Sequence, residues 1–255
     1  MDIKKDLLTI NSYSRPGTKL SKVTKIAVHY VGNPGSTAQA NRNYFESLKE
    51  GKCNSSGQLI YASSHYIVGL DGEILQCIPE MEISYATNQA NLYSISIECC
   101  HPAADGKFTV ATERALVVLC ADLCQRYKLD PLKDIIRHYD VTKKVCPKYY
   151  VDHPEAYEDF RQRVRSLMVI EIDTTMDVVR RHGDCYTVAM KCVDKPVIYP
   201  GTEKVVTVCP PYPYGGGWRA NIVAINQAGS STGIYTRLPD QDKTDGVLRF
   251  EFKIT

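Results

Sequence analysis

The chain has 255 residues, 44% hydrophobic and 24% charged, ordinary values for globular domains that exclude a disordered or collagen-like chain and allow between one and two domains. Lys plus Arg number 31 and Asp plus Glu 29, a net charge of +2; the near-balance holds on both sides of residue 170, so neither half carries the one-signed excess that nucleic acid or an anionic membrane attracts. No apolar run approaches the roughly 18 residues of a membrane span, and residues 1–6 (MDIKKD) lack the apolar stretch and cleavage site of a secretory signal.

Residues 23–31 (VTKIAVHYV) read as a mostly buried strand, broken by Gly32-Asn33-Pro34-Gly35. A helix is expected over 37–50: Ser36 or Thr37 can cap it, Ala40, Tyr44 and Leu48 repeat every four residues, and Gly51 ends it. Residues 52–63 are polar and read as a loop. Residues 65–70 and 73–78 flank Asp71-Gly72, the pattern of a hairpin with a two-residue turn. Residues 94–98 alternate as a strand. Residues 112–127 form an amphipathic helix with Leu116, Leu119, Cys120, Leu123 and Tyr127 on one stripe. Residues 134–137 read as a short strand. A helix over 153–168 follows, with Asp152 as cap, Glu155 completing a capping box, and Tyr157, Phe160, Val164 and Leu167 facing inward.

The pattern then changes. From Cys185 onward no helical period is present, and residues 185–193, 203–209, 218–226 and 247–254 read as strands between Pro and Gly clusters. In the last, Leu248, Phe250, Phe252 and Ile254 alternate with Arg249, Glu251 and Lys253, as a half-buried strand does. A boundary within 169–184 is expected. It separates residues 1–170, an α+β or α/β domain of strands and helices around one sheet, from residues 171–255, a small all-β domain.

Ten cysteines occur at irregular spacing with no Cys-x-x-Cys pair, which argues against a four-cysteine zinc site and against a disulfide framework. Three side chains stand out as possible metal ligands: His29 in the first strand, His138 after the strand at 134–137, and Cys146 eight residues later. Imidazole and thiolate together suit zinc, and three protein ligands leave a fourth position open to water. Read singly, His29 fits a core or hydrogen-bonded histidine better than a ligand, and His138…Cys146 matches no compact zinc-finger spacing.

The motifs Lys25-Ile26-Ala27-Val28-His29-Tyr30, residues 38–46, Ser64-His65-Tyr66-Ile67-Val68, Ser94-Ile95-Ser96-Ile97-Glu98 and Arg137-His138…Cys146-Pro147 follow one another in an order and at intervals that resemble the zinc-dependent N-acetylmuramoyl-L-alanine amidases of phage endolysins. These share a fold with peptidoglycan recognition proteins. The resemblance covers about residues 20–165. It implies a central mixed β-sheet flanked by helices, with one zinc ion per chain at the floor of a groove. His29, His138 and Cys146 match the zinc ligands, Glu98 the general base, and Lys144 a lysine that stabilises the oxyanion. Tyr66 matches a tyrosine near the site and takes an orienting role.

On this reading His65 faces the other side of its strand from Tyr66 and is structural. His101, three residues after Glu98, is a decoy, because adjacent strand residues face opposite ways. Ile83-Ser84-Tyr85-Ala86 departs from the tryptophan–histidine or similar pair of many relatives, in a segment that lines their groove.

The resemblance thus implies a peptidoglycan hydrolase cutting the amide between N-acetylmuramic acid and L-alanine. Such an endolysin, without a signal, would stay in the host cytoplasm until released to the wall. A non-catalytic peptidoglycan-recognition protein and a host autolysin are the competing readings; the first typically lacks one zinc ligand. Proteins of this type commonly join a wall-binding domain to the catalytic one, which implies that role for 171–255. There Pro210-Pro211-Tyr212-Pro213-Tyr214-Gly215-Gly216-Gly217-Trp218 offers aromatic faces to sugar rings, or Trp218 fills the core of a small sandwich. Bacterial peptidoglycan is the expected partner, with no nucleic acid and no membrane insertion; nothing in the sequence sets an oligomeric state.

Overall fold

A computed structural model describes residues 2–239 and 241–255. The chain forms two compact units that divide after Arg165, a few residues ahead of the 169–184 window read from composition. Among the described residues no helix is long and apolar enough to cross a membrane.

The first unit is built on a six-stranded sheet: β1 (Ile3–Lys5), β2 (Lys25–Tyr30), β3 (Tyr66–Val68), β4 (Ile74–Gln76), β5 (Ser94–Cys99) and β6 (Ile135–Arg137), in the order β1-β4-β3-β5-β2-β6. Only β3 and β4 run antiparallel; the other neighbours are parallel, so the sheet is mixed. Its central strands are buried on both faces, which is why β2 reads as a continuous apolar run rather than an alternating one.

Helix α1 (Ala38–Ser47) covers one face. It begins where the Thr37 hydroxyl accepts the Ala40 N–H at 3.1 Å, and Gly51, at φ +75°, closes the 3₁₀ turn that follows it. Ala38 and Phe45 pack on Ile67, Leu75 and Cys77. Helix α2 (Val110–Tyr127) is capped by Thr109 and buries Leu116, Leu119, Cys120, Leu123 and Cys124. Each buried leucine contributes about 1.5–3 kcal/mol.

After the short helices α3 (Pro131–Asp134), α4 (His138–Thr142) and α5 (Lys148–Asp152) comes α6 (Pro154–Met168). It inserts Tyr157, Phe160 and Val164, and the Tyr157 hydroxyl donates to the Ile135 carbonyl at 2.6 Å.

Two local expectations are corrected, and one strand is added. The hairpin turn is longer than two residues: the Gly69 N–H donates to the Glu73 carbonyl, leaving Leu70, Asp71 and Gly72 as the loop, with Gly72 at φ +84°. Asp152 does not cap the last helix; it is the final residue of α5, and its carboxylate pairs with Lys148. Strand β1, which the sequence reading omits, is a three-residue edge piece whose pairing is supplied entirely by β4.

The second unit is all-β. One sheet has the order β10-β14-β15-β8: β8 (Val178–Arg180), β10 (Val197–Pro200), β14 (Ser231–Arg237) and β15 (Val247–Ile254). The other has the order β11-β13-β9-β7: β7 (Glu171–Ile172), β9 (Cys185–Lys191), β11 (Val206–Val208) and β13 (Gly217–Ala224), with β12 (Tyr212–Tyr214) pairing β13. Val188, Ile222, Ile234, Phe250 and Phe252 share the core. The sequence reading misses β14 because two of its three buried residues, Thr232 and Thr236, are polar and hide the alternation. It misses β12 because that strand is exposed throughout. Gly215 and Gly216, both at positive φ, form the tight turn from β12 to β13.

Candidate metal centre and active site

Parallel pairing of β2 with β6 sets Val28 beside Arg137. The residue after each, His29 and His138, therefore emerges at the same end of the sheet, with ring centroids 5.0 Å apart. Asp140 accepts the Arg137 backbone N–H at 2.8 Å and starts α4 at His138. Lys143, at φ +65°, ends that helix, and the chain returns so that the Tyr139 N–H donates to the Cys146 carbonyl at 3.0 Å. Cys146 Sγ thereby lies 3.6 Å from His29 Nδ1. The three donor atoms lie within 4.8 Å of one another, and all three residues are buried.

The set fits a divalent metal ion. His138 Nδ1 is buried with no hydrogen-bond partner, and two imidazoles with one thiolate are the donor chemistry that zinc favours. Burial, with the charges of His138 and Lys144, holds the His29 pKa well below the usual histidine range; burial and Lys144 lower His138 to about 4. Both rings are therefore neutral at pH 7, as ligands must be. Burial and the neighbouring Glu98 charge push the Cys146 thiol up to about 12, with the Tyr30 backbone and Lys144 opposing. A divalent cation reverses that preference by stabilising the thiolate.

Glu98 pairs with His29 in the β2–β5 register. One carboxylate oxygen is buried and unpartnered. Burial raises the carboxyl pKa to about 8, with the Lys144 ammonium pulling the other way. A carboxyl titrating close to neutrality can both take and return a proton. Lys144 itself is solvent-exposed at the margin. These groups line a cavity of about 340 Å³, walled also by Phe45, Tyr61, Tyr85, Asn88 and Asn91. Tyr61 and Tyr85 meet edge-on at 5.7 Å between ring centroids.

Five of the six expected site residues thus converge: His29, His138, Cys146, Glu98 and Lys144. Tyr66 does not. It is 2% exposed, and its hydroxyl donates to Glu80, which also receives Arg126 of α2. Strand alternation explains the correction: Ile67 occupies the α1 face, so Tyr66 looks toward α2. His65 is structural as expected, its ring held by the Ser96 hydroxyl and the Glu82 carbonyl. His101 is absent from the cavity lining, and its Nδ1–H donates to the Ala103 carbonyl at 2.7 Å. Thr87 was missed. Its hydroxyl lies 2.9 Å from His29 Nε2, and a lone threonine in a loop carries no signal that would have found it.

A family model for N-acetylmuramoyl-L-alanine amidases matches residues 19–149. The chain belongs to this amidase family. The matched stretch contains all five converging residues and ends before the second unit. An N-acetylmuramoyl-L-alanine amidase from Bacillus subtilis (strain 168), BlyA, is 33% identical over 181 residues, covering 63% of this chain and 46% of BlyA. The chain therefore spans about half the length of the curated relatives it matches. PlyL is similar in structure, with a TM-score of 0.53 and 24% identity over 64% of this chain and 97% of PlyL. A mutant endolysin from Bacillus subtilis gives 0.51 and 23% over 64% and 99%. These likenesses show the amidase fold: a mixed central sheet with flanking helices.

Proposed function

We propose that the protein is a zinc-dependent peptidoglycan hydrolase that cleaves the amide between the lactyl group of N-acetylmuramic acid and L-alanine of the stem peptide. The carrying observation is the buried His29, His138 and Cys146 triad with the unpartnered Glu98 carboxyl in the same cavity. His29, His138 and Cys146 would hold a zinc ion, which would supply Lewis acidity toward a water and a carbonyl oxygen. Glu98 takes the proton of the attacking water and returns it to the leaving amine. The Lys144 ammonium faces the negative charge that develops on the carbonyl oxygen. Tyr61 and Tyr85 offer apolar ring edges to the substrate along the wall.

A recognition protein without catalysis is disfavoured, because the three ligands and the carboxyl are all present. The endolysin role draws support from the likeness to the Bacillus subtilis endolysin, and on that reading the protein would reside in the host cytoplasm until release to the wall; a host autolysin would use the same chemistry. Residues 171–255 are proposed to bind the wall. What supports this is a cavity of about 550 Å³ in the second unit, bordered by Glu171, Lys191, Tyr214 and Trp218. Tyr212 and Tyr214 are exposed, whereas Trp218 packs partly on the core.

The test is digestion of purified peptidoglycan. Free N-terminal alanine without new reducing sugars supports the amidase; new reducing sugars without free alanine would point to a glycosidase and overturn it.

A further inference from the structure

Thr87 lies in the loop between β4 and β5 and is fully buried. Its Oγ1 is 2.9 Å from His29 Nε2. A neutral imidazole carries one N–H and one lone pair, and the partner of one nitrogen decides the role of the other. If Nε2–H donates to the Thr87 hydroxyl, the lone pair is on Nδ1, and Nδ1 is the nitrogen 3.6 Å from Cys146 Sγ.

The loop that carries Thr87 is itself fastened. Asn91 Oδ1 accepts the Ala86 N–H at 3.0 Å and the Thr87 N–H at 2.7 Å. The Tyr85 N–H donates to Ser63 Oγ at 2.9 Å, and the Ser63 N–H donates to the Tyr85 carbonyl at 3.0 Å. Between these clamps Asn88 adopts φ +52°, a left-handed conformation that asparagine tolerates.

We propose that Thr87 is a positioning residue of the metal centre: it accepts the Nε2–H of His29 so that Nδ1 alone is presented to the ion, and Asn91 holds the loop that places it. The inference rests on the metal reading of the triad. Partners that fix the second nitrogen of a ligating histidine typically govern metal affinity by about 10–100-fold.

The experiment measures zinc affinity of the full chain by competition with a chromophoric chelator, for the wild type, Thr87→Val and Thr87→Ser. Valine keeps the shape and loses the hydroxyl; serine does the reverse. The expected result is a loss of about 10–100-fold for Thr87→Val and near-wild-type affinity, within about threefold, for Thr87→Ser. A purely packing role predicts the opposite order and would overturn the proposal, as would unchanged affinity in Thr87→Val. Because Thr87→Val can fail to fold, two-bond ¹H–¹⁵N correlation on the zinc-loaded wild type gives a second reading. A proton on His29 Nε2 is expected; a proton on Nδ1 overturns the assignment. Wild-type protein that takes up no zinc would instead sink the metal reading, and this inference with it. Zinc uptake insensitive to Thr87 sinks this inference alone.

Discussion

Glu98 has one oxygen sealed from water without a partner, an arrangement that costs stability whenever the group is charged and has no reward unless the charge is used. Glu98→Ala is expected to keep the fold and bind zinc while lowering amide turnover by about 10²-fold or more. Cys146→Ser is expected to lose metal and turnover together. Parallel zinc determination and muropeptide kinetics on both variants check the contrast; near-normal turnover in Glu98→Ala would make the carboxyl structural. A pH effect follows from the same burial. The carboxyl pKa is about 8 when folded against an ordinary 4.5, so its contribution is fully present below about 4.5 and lost as pH rises through about 8. Metal-free protein should therefore become easier to unfold with urea across that interval, and Glu98→Gln should flatten the dependence.

At the scale of elements, much of the first unit was legible because its signals are local. The threonine cap of α1, the helical repeats and the apolar run of β2 each arise from neighbours in sequence. The metal ligands were legible as types, since two histidines and a cysteine suit one chemistry. What stayed hidden was set by partners far along the chain. The face of β3 depends on its register with β5, and the expected placing of Tyr66 came out on the wrong side. Thr87 depends on a loop closed by Asn91. Threonines supply two of the three buried positions of β14, so its period was masked. The correction to Tyr66 has a measurable consequence. Tyr66→Phe should leave turnover near wild type and lower stability by about 1.5–3 kcal/mol, the usual value of a hydrogen bond to a charged group. Thermal melts beside activity assays decide this; a large loss of turnover in a stable variant would restore Tyr66 to the site.

For the whole molecule, every converging group belongs to the first unit, and the second has its own two-sheet core. A fragment of residues 1–170 is expected to fold, bind zinc and cleave soluble muropeptides at near the full rate, while lysing intact cells poorly. Residues 166–255, which keep Ile170 in that core, are expected to sediment with purified walls without cutting them. Tethering to an immobile polymer raises the local concentration of the catalytic unit. If the second fragment remains in the supernatant at low and moderate salt, wall targeting is wrong for it.

His29 and Cys146 are 117 residues apart in sequence, so an ion between them would buckle the sheet's second strand to a segment that follows its last. Such a buckle makes folding stability a function of free zinc, worth about 2.7 kcal/mol at a hundredfold excess over Kd. Chelation should then do more than stop turnover: the exposed stretch at residues 143–145, no longer pinned by the flanking ligands, becomes the first place for trypsin to cut, after Lys143 or Lys144. Mass mapping of early fragments with and without chelator would reveal it, and identical patterns would mean that hydrogen bonds alone keep the buckle shut. Scarcity of zinc would in this way mark the protein for disposal as well as silence it.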